Sequence, residues 1–273
     1  MSDDFNDGDL TASERRRLRF RNIPLRVVLP NLVTLLALCM GLTSIRYAIE
    51  EDFVKAVTAI MAAAVLDGLD GRLARAIKGT SRFGAELDSL ADFVDFAVAP
   101  GLLLYLWALH EIKGLGWFAV LVFAIAGALR LARFNVTMDD PGKPAWHAEF
   151  FTGMPAPAGA VTVLLPLYLH FSALELPASK AYVPFYIIYV LAIAFLMASR
   201  IPHFSGKRIG RIPRDLVIPV LFGVGVTALL LAIYPMEVLS VVSVAFLAMI
   251  PLSVKRYNAL SKEDAEKAGS QAS

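Results

Sequence analysis

Only one cysteine, Cys39, occurs among the 273 residues. A lone thiol cannot close an internal disulfide, so the chain is not a disulfide-stapled scaffold, and its redox compartment stays open. Cys39 sits in an apolar run, where a small, buried, inert side chain is expected. An excess of one charge sign is also missing. The 26 Lys and Arg against 24 Asp and Glu leave a net of +2, which offers no electrostatic footprint for nucleic acid. Histidine is sparse, and His110, His147, His170 and His203 are scattered. None stands in an H-E-x-x-H context and no serine stands in G-x-S-x-G, so the familiar hydrolase constellations are excluded. Each histidine is expected at a loop or an interface. The alternating apolar and polar pattern of a membrane barrel strand is absent too.

Long apolar runs are abundant. Hydrophobic residues make up 57% of the chain and the mean hydropathy is +0.62, whereas a soluble domain is usually about 45–50% apolar. The runs cover 27–45, 53–66, 117–129, 158–169, 183–198, 216–234 and 238–254. A helix needs roughly 20 mostly apolar residues to cross a bilayer, and lipid admits only helices or closed barrels. The pattern predicts an all-α polytopic bundle of about eight spans, near 27–47, 53–77, 83–108, 117–136, 154–172, 183–200, 215–234 and 237–255. The expected organisation is an N-terminal tail (1–26), a transmembrane catalytic domain (27–258) and a solvated C-terminal tail (259–273). The N-terminus is acidic, then basic, then apolar. It makes a poor signal peptide, because the apolar run is too long and no small-residue cleavage site follows.

Cationic residues set the orientation. One side collects Arg15, Arg16, Arg17, Arg19, Arg21, Arg26, Lys78, Arg82, Arg130, Arg133 and Lys143, then Arg200, Lys207, Arg208, Arg211, Arg214, Lys255, Arg256, Lys262 and Lys267. The other side holds Arg46, Lys55, Lys113 and Lys180. Positive residues mark the cytosolic side, so both termini are expected there. The run Arg15–Arg21 is expected to anchor anionic lipid.

Spans two and three break the apolar rule. Residues 66–96 read LDGLDGRLARAIKGTSRFGAELDSLADFVDF. Ionisable groups inside a membrane are costly and mark function by default. Asp67 and Asp70 are three apart, and Asp88 and Asp92 are four apart, so each pair shares a helix face. The short 78–82 connection predicts antiparallel neighbouring helices with the two pairs face to face. So many like charges call for divalent cations, and all-oxygen ligands suit Mg²⁺, Mn²⁺ or Ca²⁺ rather than zinc. Ion pairing with Arg72, Arg75, Arg82 and Arg130 is the structural alternative, but it requires neither the matched spacing nor the interleaved Gly68, Gly71, Ala74, Gly79 and Gly84. Arg75, one turn past Gly71, is placed to hold a phosphate. Glu86 falls on another face and is expected at the surface. Asp95 continues the Asp88–Asp92 stripe, with a structural pairing role favoured over one behind the metal ligands.

The run Asp67-x-x-Asp70-Gly71-x-x-Ala74-Arg75, eight residues, Gly84-x-x-x-Asp88-x-x-x-Asp92 resembles the complete signature of the CDP-alcohol phosphotransferases. That resemblance implies a six-helix core with its site at the cytosolic face. It implies two divalent ions, Mg²⁺ or Mn²⁺, on Asp67, Asp70 and Asp88, with Asp92 close to the second ion and acting as general base. It also implies CDP-lipid contacts from Pro30, Asn31, Gly71, Ala74, Arg75, Ser81 and Gly84. Homodimers are common among such proteins. An integral protein of a bacterial cell membrane follows.

Three further stretches resemble the phosphatidylserine synthase branch of that family: Leu29–Leu35, Ala128–Val136 and Phe151–Ala158. The implied reaction moves a phosphatidyl group from CDP-diacylglycerol to L-serine and releases CMP. Arg130 and Arg133, three apart, could grip the serine carboxylate in a bidentate manner, with Asn135 orienting it. Pro155 and Pro157 are expected to open a helix. Other acceptors stay open: glycerol 3-phosphate, inositol phosphate or choline, with Arg200, Lys207, Arg208 and Arg211 as a possible phosphate pocket. A cation transporter is the alternative of another class. Against it, the carboxylates cluster at one face and no inverted repeat of broken helices is evident.

Overall fold

The computed structural model describes residues 25–137, 146, 149–177, 179–205 and 216–272. Arg15–Arg21, Lys143, His147, Lys207, Arg208, Arg211 and Arg214 lie outside them. Helices dominate: α1 (Leu25–Ile49), α2 (Phe53–Ala76), α3 (Arg82–Phe93), α4 (Ala99–Trp107), α5 (Lys113–Thr137), α6 (Ala156–Val163), α7 (Leu165–Phe171), α8 (Val183–Ala198), α9 (Val217–Ile233) and α10 (Pro235–Ala272). A π-helical turn, Val94–Val98, joins α3 to α4 without a break, and a 3₁₀ turn, Leu109–Ile112, leads into α5. Two three-residue strands, β1 (Phe150–Thr152) and β2 (Pro202–Phe204), pair antiparallel with Phe150 opposite Phe204. Among the described residues this ribbon is the one departure from the all-α expectation. It is too short for periodicity to reveal.

Among the described residues, four helical stretches are long and apolar enough to cross a membrane: Leu25–Ile49, Arg82–Trp107, Leu109–Val136 and Pro235–Asp264. Apolar side chains such as Leu32, Leu36, Phe118, Ile125, Phe185 and Phe195 point outward. A soluble monomer rarely exposes apolar patches beyond a few hundred Å², so this is a helical membrane protein.

Small residues set how closely the helices approach. The buried face of α1 is Pro30, Thr34, Ala37, Gly41, Ser44 and Ala48, at alternating steps of three and four. The α2 helix packs on α1, and its own buried residues include Ala56, Ala59 and Ala63, small side chains of the kind that let membrane helices approach closely. Cys39 falls off that stripe and is exposed on the outer face of α1, which corrects the expectation of a buried thiol. Phe96, Phe123, Leu164, Leu167, Tyr168, Ile193 and Met197 fill the centre of the bundle.

The second and third spans touch, with α2 meeting the π turn and α4, and α2, α3 and α4 all lean on α1 as well. The turn between α2 and α3 sets their seat on α1. Lys78 adopts a left-handed φ of 52°, and Gly79 N–H donates to the Ala74 carbonyl at 2.9 Å, closing α2. Pro30 has no N–H to give the carbonyl of Arg26 one turn earlier. That freed carbonyl oxygen occupies the place where a Cβ on Gly79 would stand. The turn is thereby seated on the start of α1, and α3 departs along α1.

The last helix, α10, packs on α6, α7 and β2. Tyr257 meets Trp146 and Phe150 edge to face, each at 5.3 Å between ring centres. Arg256 Nη2 lies 3.6 Å from Glu149 Oε2. His203 is buried on β2 and stacks on Phe246 of α10. The helix runs on through 259–272, the stretch read above as a tail. By contrast, α9 leans against α10 with no buried residue of its own.

Candidate active site

The closing turns of α2 carry Asp67 and Asp70, and α3 carries Asp88 and Asp92. Because both helices rest on α1, the carboxylates meet across a cleft. One oxygen each from Asp67, Asp70 and Asp88 lies within 4.8 Å of the others. A hard cation with oxygens at about 2.1–2.5 Å holds opposite ligands roughly 4–5 Å apart, so the three carboxylates fit one such ion. No ion pair within 4 Å joins these aspartates to Arg72, Arg75, Arg82 or Arg130 among the described residues. The donor set, all carboxylate and without sulfur or imidazole, suits a hard divalent cation such as Mg²⁺, Mn²⁺ or Ca²⁺. Asp92 completes the group from the other side, within hydrogen-bonding reach of Asp67.

A cavity of about 200 Å³ opens beside the cluster. Pro30, Asn31, Gly71, Ala74, Arg75, Ser81 and Gly84, the seven positions expected to touch a CDP group, all line it, together with Asp70 and Asp88. Thr34, Gly79, Thr80 and Ala85 complete the wall. Ser81 caps α3 by accepting the Gly84 N–H at 2.9 Å. Its own hydroxyl hydrogen is left to donate, beside the N–H groups of Arg82 and Phe83, which have no partner among the described residues, an arrangement suited to an anion. Gly84 is required by close approach: a Cβ there would lie 2.7 Å from Asn31 Oδ1 and 3.1 Å from Ser81 Oγ. At Gly71 a Cβ would stand 3.6 Å from Arg75 Nη1, so the guanidinium folds back over that glycine at the mouth of the cavity.

Asp67 and Asp92 lie outside this wall, on the side of Arg130. The Arg130 side chain is only 8% exposed. It interacts electrostatically with Asp92 and Asp67, and its guanidinium carbon lies 5.5 Å from the ring centre of Phe134. Arg133, one turn on, points elsewhere. Its Nη1 donates to the carbonyls of Ala198 and Ser199 at 2.9 and 3.0 Å, capping the end of α8 as a cation does at a helix C-terminus. Asn135 donates to Ser89 Oγ at 2.9 Å, holding the end of α5 against α3. The helix start at Pro155 and Pro157 is as expected.

Glu86 is exposed. Asp95 is 1% exposed, and its Oδ1 has no hydrogen-bond partner. The pairing role favoured for it is therefore not what the structure shows. The π turn aims Asp95 at Gly41, where its carboxylate fills the space a Cβ would take. Sequence reasoning missed Thr34, whose Oγ1 lies 2.6 Å from Asp70 Oδ2. The available signal was a hydroxyl in an apolar run, one turn after Pro30.

The profile of the CDP-alcohol phosphatidyltransferase family matches residues 27–198. That stretch takes in α1 to α8 with every carboxylate of the cluster and every residue of the cavity wall. The chain belongs to this family. A second profile, described as CDP-alcohol phosphatidyltransferase 2, matches residues 215–251, across α9 and much of α10. A Mycobacterium leprae protein named CDP-diacylglycerol–serine O-phosphatidyltransferase is 49% identical over 177 residues, 64% of this chain and 57% of that protein. A Mycobacterium bovis protein of the same name is 38% identical over 231 residues, 84% of this chain and 78% of its own length. One from Helicobacter pylori is 40% identical over 182 residues, covering 64% and 72%.

Proposed function

We propose that this member of the family transfers a phosphatidyl group from CDP-diacylglycerol to L-serine, yielding phosphatidylserine and CMP. The observation that carries the reading is the two-sided site. A cavity with an anion-binding helix start lies on one side of the carboxylates, and the nearly buried Arg130 lies beside Asp92 on the other. Relatives named CDP-diacylglycerol–serine O-phosphatidyltransferase at 38–49% identity support serine as the acceptor.

The CDP group occupies the cavity, held by Asn31, Ser81, Arg75 and the first amides of α3. Pro30, Gly71, Ala74 and Gly84 leave room for it. Its diacyl chains lie in the bilayer against the outer faces of the helices. Asp67, Asp70, Asp88 and Asp92 hold two divalent ions, Mg²⁺ or Mn²⁺, which when bound supply charge neutralisation for the pyrophosphate. Serine enters from the Arg130 side, and Arg130 grips its carboxylate, with Arg133 and Asn135 shaping that end of the pocket. Asp92 accepts the hydroxyl proton as the serine oxygen bonds to the lipid-side phosphorus. The bond from that phosphorus to the bridging oxygen breaks, and CMP leaves with the electron pair. In-line attack needs the nucleophile opposite the leaving group, and a site with two sides meets that need.

The site faces the cytosol of a bacterial cell, both termini lie on that side, about eight spans make up the bundle, and the protein works as a homodimer. The test is CMP release by detergent-purified protein given CDP-diacylglycerol with Mn²⁺ or Mg²⁺, acceptors being added singly. Release driven by serine alone and abolished by EDTA supports the reading. Release with glycerol 3-phosphate and none with serine overturns the acceptor and leaves the carboxylate site standing.

A further inference from the structure

We infer that Thr34 is a positioning residue that orients Asp70 for cation binding. This rests on the metal-dependent reading above. Asp70 is 3% exposed and Thr34 is 5% exposed. Both line the cavity with little exposed surface, so the orientation of each polar atom leans on the partners the bundle provides. Thr34 Oγ1 lies 2.6 Å from Asp70 Oδ2 and 3.2 Å from the Pro30 carbonyl. A hydroxyl has one hydrogen. At these distances it goes to the carboxylate, and the Pro30 carbonyl is the weaker second acceptor.

Three features make this more than an incidental contact. The bond crosses between helices, from α1 to the closing turns of α2, so it ties the most polar face of α1 to one carboxylate of the cluster. The β-branch of threonine restricts χ1 in a helix, so the hydroxyl is held in place with little freedom to swing away. Thr34 takes only one of the two carboxylate oxygens, and with the Gly71 backbone N–H near the carboxylate as well, acceptor capacity is still left for the cleft. Thr34 also lines the cavity beside Asp70, Asn31 and Gly84, so its loss would be felt at the donor-substrate side of the site rather than at Arg130.

Partners behind a metal ligand typically change metal affinity by about 10–100-fold when removed. Valine keeps the shape of threonine and removes the hydroxyl, and serine keeps the hydroxyl and removes the methyl. The experiment is Mn²⁺ binding to the detergent-purified full chain, read from the electron paramagnetic resonance signal of free Mn²⁺. The proteins compared are wild type, Thr34→Val, Thr34→Ala, Thr34→Ser and Asp70→Asn, each first shown to elute as a single species. The expected result is Mn²⁺ affinity weakened about 10-fold or more in Thr34→Val and Thr34→Ala, with Thr34→Ser within about 3-fold of wild type. Either hydroxyl-free variant suffices if the other does not fold. Wild-type affinity in a folded hydroxyl-free variant overturns the inference, as does a Thr34→Ser variant as weak as Thr34→Val. A wild type that binds no Mn²⁺, indistinguishable from Asp70→Asn, overturns the metal reading itself, and the two failures are thereby told apart.

Discussion

Replacing Gly84 with alanine should cost turnover without costing the fold. The added Cβ would stand 2.7 Å from Asn31 Oδ1 and 3.1 Å from Ser81 Oγ. The shorter of these is roughly 0.7 Å inside ordinary van der Waals contact. Asn31 can relieve it only by swinging its amide or by letting α1 and α3 part, and either movement reshapes the wall of a cavity of about 200 Å³. Displacements approaching 1 Å at a reacting centre cost on the order of 100-fold in rate, so kcat/KM for the CDP-lipid should fall about 10–100-fold. Stability has an opposing term. Alanine within a helix is favoured over glycine by about 1 kcal/mol, which offsets much of the crowding. Gly68 is the matched control, since it lies on α2 one residue after Asp67 and a Cβ there meets nothing within 4 Å. Gly68→Ala should keep activity within about 2-fold and hold or raise the melting temperature. The assay is CMP release against CDP-diacylglycerol concentration, with thermal unfolding in the same detergent. Wild-type kcat/KM in Gly84→Ala, or equal losses in both variants, would refute the close-approach argument.

Asp88→Asn and Asp92→Asn should each abolish CMP release in protein that elutes and melts like wild type; retained activity in either would remove that residue from the chemistry. Arg130→Ala should raise the KM for serine far more than that for CDP-diacylglycerol. Arg133→Ala should act chiefly on stability, by about 1–3 kcal/mol for charged hydrogen bonds, and equal shifts in serine KM would show that both arginines grip the acceptor. Saturating Mn²⁺ at about 100 times its Kd should stabilise the protein by about 2.7 kcal/mol per site. That rise in melting temperature should vanish in Asp70→Asn, and a rise that persists would place the binding elsewhere.

What was legible in the sequence was whatever is local to one helix. Asp67 with Asp70, and Asp88 with Asp92, share faces because three and four residues make about one turn. Across helices the same arithmetic runs out. The short 78–82 link pointed to neighbouring spans, and α2 does meet the π turn and α4, but nothing in it said that α2 and α3 also lean on α1. That seat is a tertiary coincidence: a carbonyl freed by Pro30 and a Gly79 without a side chain meet in space. Cys39 misled for a related reason, since membership of an apolar run does not say which face meets lipid. Thr34 and Asp95 show the same limit. Their meaning lies in an oxygen of Asp70 and in the space over Gly41, contacts that no spacing encodes. Arg130 and Arg133 looked equivalent at three residues apart, but one turns toward Asp92 and the other to the end of α8.

That division of labour follows from charge. Four carboxylates converge where the surroundings are largely apolar, and desolvating each ion costs several kcal/mol even after relaxation. Of the cations named as possible partners, Arg130 alone is buried with the cluster and electrostatically coupled to it, while Arg72 and Arg75 are exposed. One guanidinium cannot balance four carboxylates, and it stops short of a 4 Å ion pair with any of them among the described residues. Arg133 instead donates to the last carbonyls of α8, where it ties down the end of α5, the helix that carries Arg130. The remaining negative charge has no protein cation to balance it among the described residues, which is the physical case for the divalent cations proposed above and, through them, for the pyrophosphate.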